Sequence, residues 1–194
     1  MSELSGKPAR RRRADAERSR ALIIEAAIGL LGRRADASME EIATAAGVSR
    51  QTVYAHYSSR DALLTAIVER ITAETAAALN DIDLEGSATA ALTEWLTLSW
   101  QVVGRYRMLL TVPLPAADAA TEHERHLPIV ERLTGIIARG RANGEFSTAL
   151  PAGWLVAATI SLGHAAGQEV AAGRLDPDQG GIAYRDSVLL LARR

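Results

Sequence analysis

Arg50, Gln51, Thr52, Tyr54 and His56 stand within seven positions of one another in the run GVSRQTVYAHYSSRDALL, residues 47–64, and Arg60 follows closely. These side chains suit the surface of a nucleic acid duplex. Arginine bonds guanine O6 and N7 with two donors, glutamine does the same to adenine N6 and N7, and threonine meets a thymine methyl or an acceptor. Tyr54, His56 and Arg60 fit phosphate oxygens, contacts that fix register without reading sequence. Arg60 also stands in the first turn of a helix, whose free amide donors favour an anion. No acidic residue interrupts the stretch before Asp61.

To reach one groove these residues must share a helix face. Taking Val53 as the inward direction and stepping 100° per residue, Gln51, Thr52, Tyr54 and Ala55 point outward while Arg50 and His56 flank them. Ser49 suits the N-cap of this helix, with Val48 and Val53 as its hydrophobic staple. Just upstream, Ser38 and Glu41 in SMEE form a capping box, Ile42, Ala43 and Ala46 give a short apolar face, and Gly47 supplies a positive φ for the turn. Farther upstream, Ile23, Ala26, Ala27, Leu30 and Leu31 follow helical periodicity, predicting a helix over roughly residues 17 to 33. Beyond, Ser58 or Ser59 starts a helix with Leu63, Leu64, Ile67 and Ile71 inward, and Tyr57 is expected to pack against the first helix. Two turns of helix, a glycine turn and a second short helix make a helix-turn-helix, whose second helix enters the DNA major groove.

The order SMEEIATAAGVSRQTVYAHYSSRDALL resembles the DNA-binding region of the TetR family of one-component repressors. The shared features are a capped helix with Ile-Ala, then Ala-Gly-Val-Ser, then Tyr-x-His-aromatic, then a basic residue before Leu-Leu. The likeness spans about residues 17 to 65. It implies that Ser38, Arg50, Gln51, Thr52, Tyr54, His56 and Arg60 occupy positions that commonly face DNA. Position 51 is often small in such proteins, and Glu40 puts a negative charge near the expected backbone contact.

The charge distribution agrees with a polyanion at the front of the chain: 11 basic residues stand against 7 acidic ones in positions 1–60, and 11 against 16 in the remainder. Residues 1–16 read as a flexible basic arm, in which Arg10 to Arg13 extend the phosphate contacts, enter a minor groove, or simply solubilise the chain. Residues 17–65 form the DNA-binding domain, continuing into a connecting helix to about residue 79. Residues 80–194 are expected to bind a ligand and dimerise. Helical segments are predicted over about 88–110, 122–142, 151–172 and 178–193, and strand signals are negligible. The fold is expected to be all-α, an N-terminal helix-turn-helix domain followed by a helical bundle.

A single helix-turn-helix reads few base pairs, so two copies of the chain are expected on a palindromic operator. The run WLVAATISLGHAAG, residues 154–167, is apolar or small all round its helix and, with YRDSVLLLARR, suits an isologous four-helix interface. Trp95, Trp100, Tyr106, Met108, His123, His126 and Trp154 are candidates to line a mainly apolar pocket for a small-molecule effector. His123 and His126 in EHERH also share a helix face, and with a carboxylate they suggest a rival reading as a metal-binding protein or helical-bundle enzyme. No third ligand is evident, and no phosphate loop, dinucleotide glycine pattern or nucleophile elbow occurs, so neither catalysis, a metal nor a cofactor is expected. Cysteine is absent and no secretory signal or membrane span is recognisable, which points to a cytoplasmic address. The expected function is transcriptional regulation, usually repression, relieved by a small molecule.

Overall fold

The computed structural model describes residues 6–106, 108–115 and 119–193. Among the described residues there are nine helices: α1 (Gly6–Leu31), α2 (Met39–Ala45), α3 (Arg50–His56), α4 (Arg60–Asn80), α5 (Ala88–Arg105), α6 (Met108–Thr111), α7 (Ala119–Ala142), α8 (Ala152–Ala171) and α9 (Pro177–Ala192). The β structure described is an isolated bridge between Phe146 and Arg193. The fold is all-α, as the periodicities require.

Two boundaries correct the sequence reading. The first helix continues back to Gly6, so residues 6–16 are helical rather than a flexible arm, and the backbone of Arg10 to Arg13 lies within α1; the side chains of those four arginines lie outside the described residues. The segment expected over 88–110 is not one helix, because α5 ends at Arg105 and Tyr106 leaves helical geometry with φ −114° and ψ 56°.

The chain divides into two compact units. One comprises Met1–Val68 with Thr111–Pro115, the other Glu69–Leu110 with Ala116–Arg194. The division falls within α4, not after it.

In the first unit, Ile23, Ala27 and Leu31 of α1, Ile42 and Ala43 of α2, Val53 of α3 and Leu63, Leu64 and Ile67 of α4 are buried. Val53, wholly buried, turns α3 as the helical projection expects, and its burial contributes about 1.5–3 kcal/mol. Tyr57 ends α3 with its ring buried and lies close enough to Arg20 of α1 to feel its charge.

In the second unit α5 packs on α7 and α9, and α8 packs on α7 and α9. Leu92, Trp95 and Leu96, Leu133, Ile136 and Ile137, Leu155 and Val156, and Tyr184 and Val188 form the shared core. The connection from α4 to α5 is held by side chains of α7 and the turn after it. Arg132 donates to the carbonyls of Leu79 and Asn80 at the C-terminal end of α4 and of Ile82 just beyond it. Arg139 donates to the carbonyl of Gly86. Glu145 closes the start of α5: its carboxylate accepts from the Ser87 hydroxyl (2.7 Å) and from the amides of Ala88 and Thr89 (2.9 Å each).

These three donors, the Ser87 hydroxyl first, hold the Glu145 carboxyl at about 2, below its ordinary 4.5. Stabilisation from a carboxyl depressed in this way is complete above pH 4.5 and is lost as pH falls toward 2. Glu145→Gln is therefore expected to lower the melting temperature at neutral pH and to flatten its decline between pH 4.5 and 2. An acid limb of unchanged steepness in thermal melts of the variant would show that the cap contributes nothing.

Candidate nucleic-acid interface

The α2–turn–α3 segment is built by local hydrogen bonds that leave one face of α3 open. At the start of α2 the Ser38 amide (2.8 Å) and hydroxyl (2.9 Å) donate to Glu41 Oε2, while the Glu41 amide donates to Ser38 Oγ (3.3 Å). Arg34 donates to the other Glu41 oxygen. The Ser38 amide, the Arg34 guanidinium and the Ser38 hydroxyl, in that order, hold the Glu41 carboxyl at about 2. Arg34 is the residue that sequence reasoning missed here: its bond crosses a loop, so no helical spacing announces it.

Gly47 takes φ +67°, the left-handed conformation that a side chain would strain, and the chain turns into α3. Ser49 caps α3 by accepting from the Thr52 amide (3.1 Å), and the Ser49 and Thr52 hydroxyls share a 2.8 Å hydrogen bond. Arg50, Gln51, Tyr54 and Ala55 are exposed, while Thr52 and His56 are half-buried. The Arg50 guanidinium carbon lies 5.4 Å from the centre of the Tyr54 ring, and its Nη1 lies 3.9 Å from Glu40 Oε2. Both partners of that ion pair are exposed, so water screens it and it leaves Arg50 free to exchange Glu40 for another anion.

Six of the seven candidate residues stand on or beside this segment with their side chains exposed or half-buried. Gln51 presents its amide to solvent, while Arg50 and Tyr54 are exposed but lie against each other, with Arg50 also near Glu40. Thr52 has its hydroxyl in the cap, and Ser38 is exposed but engaged with Glu41. His56 flanks the face with its ring 6.4 Å from that of Tyr57. Arg60 differs: its guanidinium donates to the carbonyls of Ala37 and Ala35, the latter at 2.7 Å.

The second unit contains a cavity of about 170 Å³ lined by Glu74, Thr75, Ala78 and Leu79 of α4, by Leu98, Gln101, Val102 and Arg105 of α5, and by Tyr106. The Tyr106 hydroxyl donates to Glu74 Oε2 (2.6 Å), Arg70 donates to Oε1, and Arg105 lies 5.1 Å from the Tyr106 ring centre. The bond from Tyr106 is the largest of the influences that lower the Glu74 pKa.

Of the aromatic, Met and His candidates for a pocket, Tyr106 lines this cavity. Trp95 is buried in the core. Trp100 lies against α9, where it donates to the Pro177 carbonyl (3.0 Å) and packs on Tyr184. Gly180 and Gly181 make room for it: a Cβ on either would come within 3 Å of the indole. Met108 is wholly buried, whereas Trp154 is 60% exposed. His126 is exposed, and the His123 side chain lies outside the described residues. Among the described residues no three His, Asp or Glu side chains are grouped to hold a metal ion. No described helix is long and apolar enough to cross a membrane.

Residues 23–67 match the family model described as bacterial regulatory proteins, tetR family. The fold is similar to that of the transcriptional regulator FadR from Bacillus subtilis, whose crystal structure is in complex with stearoyl-CoA, with TM-score 0.73 and 17% identity over 88% of this chain and 96% of that one. It is also similar to the TetR-like regulator LfrR from Mycobacterium smegmatis, crystallised in complex with proflavine (TM-score 0.65, 24% identity, 92% and 98% covered). A third similar structure is NalD, the secondary repressor of the MexAB-OprM multidrug efflux pump in Pseudomonas aeruginosa (TM-score 0.65, 18% identity, 93% and 98% covered). At these identities the likeness is one of fold. No curated protein matches the sequence.

Proposed function

From the match of residues 23–67 to the model for bacterial regulatory proteins of the tetR family, we propose that the chain is a DNA-binding regulator of that kind, which binds a palindromic operator as a homodimer and represses transcription until a small molecule releases it. The observation that carries this reading is the face of α3. Arg50, Gln51, Tyr54 and Ala55 are exposed together on a two-turn helix with a capped start and a buried Val53 behind it, and no carboxylate shares that helix. Such a face meets base edges and phosphates without first repelling them.

Support for a dimer comes from the second unit. On α8, Trp154, Ala157, Ser161, Ala165 and Gln168 recur at helical spacing and are exposed without a charge among them, and on α9 Ile182 and Leu190 are more than half exposed. An uncharged face that mixes apolar, small and weakly polar residues in this way fits a second copy of itself, the small residues allowing close helix approach.

Support for an effector comes from the cavity on α4 and α5. It is an open cleft whose volume is below the 300–1,000 Å³ usual for small-molecule sites, so an effector of ordinary size would extend out of it or part its walls. Because α4 carries both a cavity wall and Arg60 at its start, a ligand that moves α4 disturbs the base of the recognition unit. Release follows only if the ligand binds the displaced arrangement more tightly than the DNA-competent one.

Selection of bound duplexes from a random library, followed by sedimentation of the complex, tests the reading. The expected result is an inverted repeat whose half-sites lie one helical turn or a multiple apart, carrying an even number of chains. A chain that is monomeric at micromolar concentration and selects an asymmetric site contradicts the dimer.

A further inference from the structure

Arg60 occupies a place that helix electrostatics alone disfavour. It is the first residue of α4, where the helix dipole is positive and an acid such as Asp61 belongs. Its side chain does not stay there. It reaches back 25 and 23 positions to the carbonyls of Ala35 and Ala37 in the loop between α1 and α2. Ala37 is wholly buried, so its carbonyl needs a partner from the protein, and the guanidinium provides one. The two bonds also bracket a defined segment. Everything between the two carbonyls and Arg60 is the Ser38 cap, α2, the Gly47 turn and α3.

We infer that Arg60 is a positioning residue that closes the helix-turn-helix on itself and holds Ser38 and α2 in register with the start of α4, rather than a phosphate contact. The inference rests on the DNA-binding reading above. The fork is specific to arginine: two donors at fixed separation meet two carbonyls, a geometry that a lysine ammonium does not reproduce. Residues that face a duplex hold their charge toward solvent, whereas this charge is half-buried and turned toward backbone oxygens. Because α4 also lines the cavity, the same two bonds tie the Ser38 cap to the helix on which an effector would act.

Affinity of the full-length protein for the selected duplex and for a scrambled duplex of the same length, measured from low to high salt, tests this. Arg60→Lys keeps the charge, so a phosphate contact would survive it with affinity nearly intact. A positioning fork would not. The expected result is a loss of roughly tenfold or more on the selected duplex for both Arg60→Lys and Arg60→Ala. Scrambled-duplex affinity should be retained, and the slope of log K against log salt should not change.

Simple unfolding would lower both duplex affinities together, which separates it from mispositioning. If Arg60→Ala does not fold, Arg60→Lys carries the test, with amide hydrogen exchange at Ser38 and Glu41 expected to quicken. The inference is overturned if Arg60→Lys binds like the parent, or if Arg60→Ala weakens both duplexes equally with the slope reduced by about 0.9, the signature of one lost phosphate contact. A parent protein that does not distinguish the two duplexes refutes the DNA-binding reading itself, an outcome separate from these.

Discussion

Gln51→Ala is expected to weaken binding to the selected duplex by about 1–3 kcal/mol, between roughly fivefold and 150-fold, while leaving scrambled duplex almost unaffected. The size follows from position. Gln51 is exposed on α3, its neighbours Ser49 and Thr52 are joined to each other in the cap, and among the described residues its amide makes no hydrogen bond, so truncation should remove a base contact without disturbing the helix. Base preference should relax at one position of each half-site. Tyr54→Phe should behave in the opposite way. Its hydroxyl is suited to a phosphate, so its loss should lower affinity for every sequence alike while the ring still supports Arg50. Competition binding against a set of single-base variants of the operator measures both. A uniform loss from Gln51→Ala together with altered preference from Tyr54→Phe would reverse the assignment.

The second large effect concerns stability. Gly140 in α7 has no space for a methyl group: an added Cβ would stand 2.2 Å from Phe146 Cδ2 and 2.4 Å from Cε2. The ring has little freedom to retreat. Phe146 is buried in the core, its amide donates to the Gly140 carbonyl (3.0 Å), and its backbone bridges to Arg193. Gly140→Ala should cost about 1–3 kcal/mol by overpacking. In a chain of this size that lowers the melting temperature by roughly 2–4 °C per kcal/mol. Gly135 in the same helix is the control, since nothing lies within 4 Å of its added Cβ. Gly135→Ala should stabilise by up to about 1 kcal/mol through helix propensity. Equal melting temperatures for the two variants would mean that Phe146 moves aside at no cost.

What the sequence disclosed and what it concealed divide along a physical line. Capping is local chemistry between a side chain and a backbone a few residues away, so Ser38 with Glu41, Ser49 with Thr52, and Gly47 in its left-handed turn were all legible from spacing. The face of α3 followed from one buried valine. Tertiary choices were not legible. Trp95, Trp100 and Trp154 look alike as candidates for a pocket, yet one is core, one fills the space left by Gly180 and Gly181, and one is exposed. Nothing in their neighbours' identities distinguishes these fates, because each depends on which helix arrives from far along the chain.

The same limit applies to charges. Arg60 stands in a run without acids before Asp61 and reads as a phosphate ligand, and no spacing in the sequence discloses that it donates to the loop carbonyls of Ala35 and Ala37. Glu145, which follows a helix end and a glycine, carries no sign that it caps a helix beginning more than fifty residues earlier. The extension of α1 through the arginine run was hidden for another reason, since a helix without an apolar stripe has no periodicity to detect.

The central claim is that α3 reads sequence, and the ratio of affinities for the selected and the scrambled duplex at physiological salt tests it most directly. A ratio of about 10³ or more is predicted, falling substantially when Gln51 and Arg50 are replaced by alanine. Equal affinity for the two duplexes, or a ratio untouched by those replacements, would contradict it.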